Sequence, residues 1–346
     1  MENAKKIKVL IVDDSIVFRE FFSMAISSDS EIEVVATAKD AFDAREKLLQ
    51  YRPDVMICDV EMPKMNGIEF IRKLMPQYPI PVIIVSSVCN SVFEALNAGA
   101  VDFIPKPDFG MLNNVQEFVN DMIKKIKVAS NAKIVQSRPK SGSIVLTKET
   151  DSISADKIIA IGASTGGTSA IHKILKEMPP TLPGVVVVQH IPPVFSAMFA
   201  ERLNNTTNLN VKEAKTGDYI EQGKVLIAPG DKHMRIKKVA NKYKVECFDG
   251  EKVNGHRPSV DVLFESVAKE AGKDAIGVIL TGMGSDGAKG LLSMKKSGAY
   301  TIGQDEYSSV VYGMPRAAYN IGAVDRQLSL DKIAASILDY IKKHSH

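Results

Sequence analysis

The chain has 346 residues, a length that predicts two or three domains with ordinary cores and excludes a single small module. Hydrophobic residues make up 45% and charged residues 25%, which excludes a disordered or fibrous chain. Residues 1–126 carry 14 basic and 19 acidic side chains, and residues 153–346 carry 25 and 20, so the two parts have opposite net charges of −5 and +5. A nucleic-acid-binding protein would concentrate far more positive charge, interleaved with aromatic residues, so we expect no nucleic-acid partner.

The N-terminal segment leads directly into a strand-like pattern and has no signal peptide. No apolar run approaches the roughly 18 residues of a membrane span, so we expect a cytoplasmic protein without direct membrane insertion. The three cysteines, Cys58, Cys89 and Cys247, cannot all pair and lack the spacing of a zinc module. We therefore expect them to be reduced and structural.

Apolar runs in the first part of the chain alternate with segments of helical periodicity. The runs are residues 8–12, 55–58, 82–85 and 103–104. This alternation predicts a doubly wound parallel α/β sheet, in which functional side chains collect beyond the carboxyl ends of the strands. The residues at those ends are Asp13, Asp14, Asp59, Ser86 and Lys106.

Three carboxylates at one sheet edge repel one another unless a hard divalent cation joins them, and Mg²⁺ prefers oxygen ligands. One carboxylate can then act as nucleophile toward a phosphoryl group. Lys106 would offset the charge of that group and the Ser86 hydroxyl would bond one of its oxygens. Taken singly, each of these residues is also compatible with a helix cap or an ordinary loop position.

The motifs VDDS, CDVEMPKMNG, VSS and PKP, in this order, make residues 5–126 resemble the receiver domain of bacterial response regulators. The resemblance implies a flavodoxin-like fold in which Asp59 accepts a phosphoryl group from a chemotaxis histidine kinase. It also implies that Asp13, Asp14, Asp59 and the backbone carbonyl of Glu61 bind Mg²⁺, and that Ser86 and Lys106 respond to phosphorylation. The segment VCNSVFEAL after Ser87 is expected to be a loop, shorter than receivers usually have there.

Residues 127–152 are rich in Ser and Lys and contain no aromatic residue, which predicts a solvated linker between domains 1–126 and 153–346. Beyond it, the strongest basic cluster is the stretch from His233 to Lys244. Its alternating pattern favours the solvated face of a β-hairpin over a binding surface.

The second part of the chain contains a candidate nucleophile. The apolar run 157–162 leads into Gly-Ala-Ser-Thr-Gly-Gly and then into a segment of helical periodicity. This G-x-S-x-G spacing places Ser164 on a sharp turn at a helix N-terminus, with its hydroxyl exposed. The three-letter pattern alone is weak evidence because Gly and Ser are common, and a serine nucleophile also needs a base.

A neutral histidine is the usual base, and the chain has six. His344 and His346 lie in the C-terminal tail, His172 in the helix after the turn, and His233 in the predicted hairpin. His190 ends the apolar run 185–189, which predicts that it shares a sheet edge with Ser164. His256 lies in a loop and is expected to line the cleft.

Asp286 follows a further strand-like run, 275–280, in a glycine-rich loop, where a carboxylate can orient His190. It also fits the N-cap of a helix around residues 289–296, and His190 also fits an ordinary loop. The chain order Ser, His, Asp differs from that of α/β-hydrolases, which argues against a lipase or general esterase.

The segments GASTGG, VVQHIPP, HRPSVDVLF, LTGMGSDGA and YGMPRAAYNIGA together resemble the catalytic domain of the chemotaxis protein-glutamate methylesterases, over most of residues 155–342. The resemblance implies a Rossmann-like domain that hydrolyses glutamate methyl esters, and deamidates glutamines, on methyl-accepting chemotaxis receptors. It implies Ser164 as nucleophile, His190 as general base and acid, and Asp286 as the orienting acid. The N–H groups of Thr165 and Met283 would form the oxyanion site. No cofactor is expected in this domain, and phosphorylation of the receiver would activate it.

A second interpretation is a receiver that controls a phosphate-binding or nucleotide-binding module, because GASTGG and GMGSDG can both present N–H groups to anions. Neither of the usual glycine-rich nucleotide-binding patterns is present, which argues against it. A transcription regulator would need a small helix-turn-helix unit, which this α/β pattern does not offer.

Overall fold

The computed structural model describes residues 5–87, 89–106, 115–134 and 157–344, with the backbone alone at residues 89 and 90. The chain divides into two compact units, Met1–Gln136 and Ser137–His346. Each unit contains a parallel β-sheet whose strands alternate with helices along the chain. The prediction of two doubly wound α/β domains is therefore confirmed.

The sheet of the first unit has five parallel strands in the order β2-β1-β3-β4-β5, which is the flavodoxin-like order. The strands are β1 (Ile7–Val12), β2 (Ile32–Ala38), β3 (Val55–Asp59), β4 (Val82–Ser86) and β5 (Asp102–Pro105). Strands β3 and β4 are buried along their whole length, as their continuous apolar runs predict for a sheet covered on both faces. β2 has no such run, and the sequence analysis did not predict it.

Five helices connect these strands: α1 (Ile16–Ile26), α2 (Ala41–Tyr51), α3 (Gly67–Leu74), α4 (Cys89–Ala98) and α5 (Val115–Ala129). The prediction of a loop after Ser87 was wrong, because α4 begins at Cys89. Leu96 of α4 lies four residues after Val92 and three after Phe93, and all three side chains are buried. This spacing allows one helical face to pack on the unit's core.

Two predictions concern segments that are described only in part. Helix α5 continues to Ala129, three residues into the predicted linker, and residues 135–152 lie outside the described residues. Cys58 and Cys247 are free thiols, as expected, and the side chain of Cys89 is not among those described.

The sheet of the second unit has seven parallel strands in the order β14-β13-β12-β6-β7-β9-β8. They are β6 (Ile158–Ala163), β7 (Gly184–Gln189), β8 (Asn210–Glu213), β9 (Lys224–Ile227), β12 (Ala275–Ile279), β13 (Tyr300–Gln304) and β14 (Arg326–Leu328). The chain runs outward from β6 to β7 on one side and later returns to β12 on the other. In an open α/β sheet, this reversal opens a crevice beyond the carboxyl ends of β6 and its neighbours.

Six α-helices and a short 3₁₀ turn complete the described part of this unit. They are α6 (Gly167–Lys176), α7 (Phe195–Thr206), α8 (Val260–Glu270), the 3₁₀ turn Gly272–Asp274, α9 (Ala288–Lys296), α10 (Met314–Asn320) and α11 (Leu330–Lys343). Within the described ranges, none of the helices has the length and apolar character that crossing a bilayer requires.

The predicted hairpin in the basic stretch is confirmed. Strands β10 (His233–Val239) and β11 (Lys242–Phe248) pair antiparallel, and Ala240 makes the turn with a φ of 53°. Met234 and Ile236 are buried in the same apolar cluster as residues of α8, whereas Lys237 and Lys238 are exposed. Both lysines therefore contact solvent: Lys237 on the face opposite Met234 and Ile236, and Lys238 near the end of the strand, beyond the buried residues.

Candidate functional site

The first unit has an acidic cluster at the carboxyl edge of its sheet. Asp13 and Asp59 are each 1% exposed, Asp14 is exposed, and one carboxylate oxygen from each of the three lies within 4.8 Å of the others. The Lys106 Nζ lies 2.6 Å from Asp59 Oδ2 and 3.1 Å from Asp13 Oδ2. The structure thus brings together four of the residues that the sequence placed at this edge.

Burial raises the pKa of Asp59 to about 6, and the neighbouring Asp13 charge adds to this, while the bond from Lys106 opposes it. The Asp59 Oδ1 atom is buried and has no hydrogen-bond partner among the described residues. A buried, unpartnered carboxylate oxygen beside two further carboxylates fits a hard divalent cation. The cluster can therefore hold a metal ion.

Ser86 and Glu61 lie beside this cluster. Ser86 ends β4, is fully buried, and accepts the Lys106 N–H through its carbonyl. The Glu61 backbone N–H acts to lower the pKa of Asp59, against the larger effect of burial. Ser86 is the last residue of β4, which pairs with β3, and Glu61 lies two residues after the end of β3 at Asp59, so both are at the same edge of the sheet.

In the second unit, three strand ends meet at the reversal point of the sheet. The last paired residues of β6 and β7 are Ala163 and Gln189, and the His190 N–H donates to the Ala163 carbonyl at 3.1 Å. The Ser164 N–H donates to the Thr281 carbonyl, just beyond β12, at 3.0 Å. The register of the sheet therefore places Ser164 between the segments that carry His190 and Asp286.

Two side-chain hydrogen bonds hold the backbone of the turn at Ser164 and Thr165 in place. The Thr281 hydroxyl bonds the Thr165 carbonyl at 2.9 Å, and the Gln189 amide donates to the Ser164 carbonyl at 2.9 Å. Ser164 is half-buried, and its hydroxyl has no hydrogen-bond partner among the described residues. The turn thus fixes the backbone and leaves the hydroxyl available.

Gly166 has a φ of 76°, and a Cβ there would lie 2.7 Å from Val310. We expect Gly166→Ala to cost about 1–2 kcal/mol from the left-handed backbone and a further 1–3 kcal/mol from overlap. Displacing Ser164, the predicted nucleophile, should also lower the predicted ester hydrolysis about 100-fold. Urea unfolding and a hydrolysis assay measure the two effects.

Gly322 is the matched control, because it has the same φ of 76° but open space around the position of a Cβ. Gly322→Ala should cost only the backbone contribution and leave hydrolysis unchanged. Equal losses of stability and activity in the two variants would show that overlap at the turn has no role.

Asp286 and His190 are in direct contact, with 2.8 Å between His190 Nε2 and Asp286 Oδ2. Asp286 is 1% exposed and receives further hydrogen bonds from two side chains and from the first N–H groups of α8. These donors are the Asn254 amide (2.8 Å), the Ser259 hydroxyl (2.7 Å), and the N–H groups of Val260 (2.7 Å) and Asp261 (3.3 Å). A carboxylate at a helix N-terminus is also favoured by the helix dipole.

Burial alone would raise the pKa of Asp286, but the bond and charge of His190, with the bonds from Asn254 and Ser259, hold it well below its usual range. Asp286 is therefore ionised and acts as an acceptor, so His190 Nε2 carries a proton. The His190 Nδ1 atom is buried and has no partner among the described residues. In the neutral ring this nitrogen holds the lone pair, so Nδ1 is the atom that can accept a proton.

The alternative role of Asp286 as an N-cap does not hold, because α9 is capped by Gly287. Sequence reasoning also missed Asn254 and Ser259, which hold the Asp286 carboxylate. Both had recognisable patterns: Asn-Gly is a strong turn sequence, and Ser259 immediately precedes an apolar helical run.

Two of the remaining histidines are engaged elsewhere. The His233 Nε2 bonds the Glu251 carbonyl at 2.8 Å and its Nδ1 accepts the Ser259 N–H at 3.2 Å. His344 stacks on Tyr340 at the end of α11. His256 stacks on His190 with ring centroids 3.8 Å apart, so it lies at the site, as expected for a residue of the cleft.

Burial lowers the pKa of His172 in α6, and its Nε2 is a buried atom without a partner among the described residues. His346 lies outside the described residues.

The two predicted oxyanion residues flank Ser164. Thr165 follows it directly and is buried. Met283 follows Gly282, where a Cβ would lie 2.7 Å from the Ser164 Cβ, so these two segments are in close contact. Met283 therefore follows a residue that packs directly against Ser164. In the described ranges, the Met283 N–H donates to no backbone carbonyl.

Known proteins resemble both units. The sequence model of the CheB methylesterase family matches residues 159–337, and that of the response regulator receiver domain matches residues 9–116. A protein of Syntrophomonas wolfei, named protein-glutamate methylesterase/protein-glutamine glutaminase 2, is 54% identical over 98% of this chain and 99% of its own. A Salmonella typhimurium protein named protein-glutamate methylesterase/protein-glutamine glutaminase is 46% identical over 96% of both chains.

A solved structure, the Thermotoga maritima CheB methylesterase catalytic domain, matches with a TM-score of 0.52 and 38% identity. The match covers 53% of this chain and 98% of that domain.

Proposed function

This chain belongs to the CheB methylesterase family and carries a response regulator receiver domain ahead of its catalytic domain, and from this we propose its substrates and mechanism. It is a phosphorylation-regulated protein-glutamate methylesterase and protein-glutamine deamidase. A phosphate-binding or nucleotide-binding output module is not favoured, because relatives that match nearly the whole chain are named as methylesterases. We assign residues 1–126 to the receiver, 127–152 to a linker and 153–346 to the catalytic domain.

The pairing of an ionised Asp286 with His190, whose Nδ1 is unpartnered, carries the proposed mechanism. Ser164 Oγ attacks the γ-carbonyl carbon of a glutamate methyl ester while His190 Nδ1 takes the hydroxyl proton. The tetrahedral intermediate collapses, and the same proton passes to the departing methoxide, which leaves as methanol. Asp286 stabilises the imidazolium during both transfers.

The acyl-enzyme then reacts with water. His190 removes a proton from the water molecule, the new C–O bond forms, and the proton returns to Ser164 Oγ as the glutamate carboxylate is released. We assign the oxyanion site to the N–H groups of Thr165 and Met283, each of which would lower the barrier by about 3–4 kcal/mol. A glutamine side chain would follow the same route with ammonia as the leaving group.

In the receiver we assign Asp59 as the phosphoryl acceptor and Asp13, Asp14, Asp59 and the Glu61 carbonyl as the residues that would hold Mg²⁺. When bound, the ion would neutralise charge on the phosphoryl oxygens. Lys106, which already contacts Asp59 and Asp13, would balance the added charge, and Ser86 would bond a phosphoryl oxygen.

The substrates we propose are methyl-accepting chemotaxis receptors, and the phosphodonor is a chemotaxis histidine kinase. We propose that the protein meets the receptors and the kinase in the cytoplasm. The decisive test is methanol release from membranes that contain methylated receptors, with and without acetyl phosphate. Thermal stabilisation by nucleotides, without methanol release and without labelling of Ser164 by an organophosphonate, would favour the binding module instead.

We expect Asp59→Asn to abolish activation by acetyl phosphate, because the amide cannot accept the phosphoryl group. The ratio of methanol release with and without the donor should fall to about one. Asp43→Asn is the control, since Asp43 lies in α2, pairs with Lys47 and is not one of the three clustered carboxylates, and it should respond normally. Normal activation of Asp59→Asn would overturn the acceptor assignment.

A further inference from the structure

A short turn, Val253–His256, lies beside the catalytic side chains and has no role in the mechanism above. The Val253 N–H bonds the His256 carbonyl at 3.0 Å and the His256 N–H bonds the Val253 carbonyl at 2.9 Å. Asn254 and Gly255 between them have φ values of 53° and 80°. Two left-handed residues closed by a pair of hydrogen bonds form a tight hairpin turn, for which Asn-Gly is the preferred sequence.

The two polar side chains of this turn contact both partners of the proton relay. The Asn254 amide donates to Asp286 Oδ1 at 2.8 Å and to Asp261 Oδ2 at 2.7 Å. The His256 ring stacks on His190, with an angle of 11° between the ring planes and 3.8 Å between the centroids. The turn thus contacts Asp286 through a hydrogen bond and His190 through ring stacking.

We propose that the Val253–His256 turn positions the catalytic base, with His256 fixing the plane of the His190 ring and Asn254 fixing the Asp286 carboxylate. The inference rests on the proposed mechanism. The single bond between Nε2 and Asp286 fixes one atom of the ring, and the ring can still tilt about that contact. A parallel ring against its face removes this freedom, so Nδ1 keeps one direction.

The segment around the turn is itself anchored, as a positioning element must be. Arg257 bonds Asp231 through two nitrogens at 2.6 and 2.9 Å and also bonds the Gly250 carbonyl. The His233 ring, which bonds the Glu251 carbonyl and the Ser259 N–H, joins the residues before the turn to those after it. The turn therefore does not move independently of α8, which begins directly after Ser259.

The size of the expected effect follows from geometry. A displacement of about 1 Å in a catalytic group can cost about 100-fold in rate. His256→Ala removes the stacked ring and leaves the Asp286 bond, so we expect kcat to fall about 10-fold to 100-fold with little change in KM. His256→Phe keeps a flat ring without nitrogen atoms and should recover most of that loss.

The experiment measures two readouts in the full-length protein: methanol release from methylated receptor membranes, and the rate at which a fluorophosphonate labels Ser164. Labelling of Ser164 requires His190 as the base, but it does not require the receptor. Labelling rates that fall from wild type to His256→Phe to His256→Ala, in a protein that releases no methanol, would support the turn's role while refuting the methylesterase function. His344→Ala is the control, because it removes a stacked histidine from the end of α11.

Three results would overturn the proposal. His256→Ala with wild-type kcat would show that the ring is not needed. Equal losses in His256→Ala and His256→Phe would show that a ring nitrogen matters and not the stacking. A raised KM with unchanged kcat would make His256 a substrate contact. If His256→Ala does not fold, His256→Gln, which keeps a polar side chain and lacks the ring, replaces it and should show the same loss.

Discussion

Replacing Ser164 by alanine is expected to lower methanol release from methylated receptor membranes by at least about 10⁴-fold. The variant retains the backbone N–H groups near the turn and the His190–Asp286 pair, but has no atom that can form the acyl-enzyme. Residual hydrolysis would come only from a water molecule in place of the hydroxyl. The measurement is the initial rate of methanol release at saturating receptor, together with loss of fluorophosphonate labelling.

The structure also predicts what Ser164→Ala leaves unchanged. The hydroxyl has no partner among the described residues, so the free energy of unfolding should stay within about 0.5 kcal/mol of the wild type. Ser169→Ala, on the exposed face of α6, makes the same chemical change five residues later and should retain full activity. If Ser164→Ala kept more than a tenth of the wild-type rate, Ser164 would not be the nucleophile.

The sequence predicted the contact between His190 and Asp286 because parallel strands end at a common edge. His190 ends an apolar run, and Asp286 follows another. What brings them within 2.8 Å is the strand order, in which β6 lies between β7 and β12. The positions of the apolar runs give the ends of the strands but not their neighbours, so the distance itself was not predictable.

The contacts that hold Asp286 were beyond the sequence analysis for a different reason. Asn254 and Ser259 lie about 30 residues before it, in the segment around the start of α8, which is packed against β12 only in the folded protein. A turn sequence and a helix cap each describe local geometry. Neither indicates that their hydrogen-bond donors converge on a distant carboxylate.

The misassigned segment after Ser87 illustrates a similar limit. It was predicted to be a loop, although its apolar residues have helical spacing. In the structure, packing of Val92 and Phe93 in the core stabilises α4. Strands β8, β9, β13 and β14 were also not predicted, and three of them have only three or four residues, too few to show a clear period.

The acidic groups of the catalytic domain differ in the sign of their pKa shifts. Asp286 has a lowered pKa, whereas burial and the Asp286 charge raise the pKa of the neighbouring Asp261. Both are almost fully buried, and both accept a hydrogen bond from Asn254. The contrast arises because Asp286 also accepts hydrogen bonds from His190 and Ser259, which lower its pKa. This makes Asp286 the carboxylate that keeps a negative charge beside the base.

Asp286→Asn is therefore expected to lower kcat by about 10⁴-fold, comparable to the effect of removing this charge from a catalytic triad. An amide can donate to His190 Nε2, which shifts the ring proton to Nδ1, and Nδ1 can then no longer accept the proton of Ser164. That NH₂ group would then face the Val260 N–H, which bonds Asp286 Oδ2 in the wild type, while the amide oxygen would still accept from Asn254 and Ser259. Each unmet donor should cost about 1–3 kcal/mol of stability.

The pH dependence of the free energy of unfolding measures the contribution of the Asp286 charge to stability. Because the folded pKa of Asp286 is below the unfolded value of about 3.9, its charge contributes stability that is fully present above that pH and is lost as pH falls toward the folded pKa. The stability difference between wild type and Asp286→Asn, from urea unfolding, should narrow as the pH falls below about 4.

Asp261→Asn is the matched control, because it neutralises a neighbouring buried carboxylate that does not contact His190 and whose pKa is raised. It should lower kcat by less than about 10-fold. Equal losses of kcat in the two variants would mean that negative charge in this region, and not the contact with His190, supports the reaction. A wild-type kcat in Asp286→Asn would remove the acid from the mechanism, since the predicted change of the His190 tautomer would then have no effect on proton transfer.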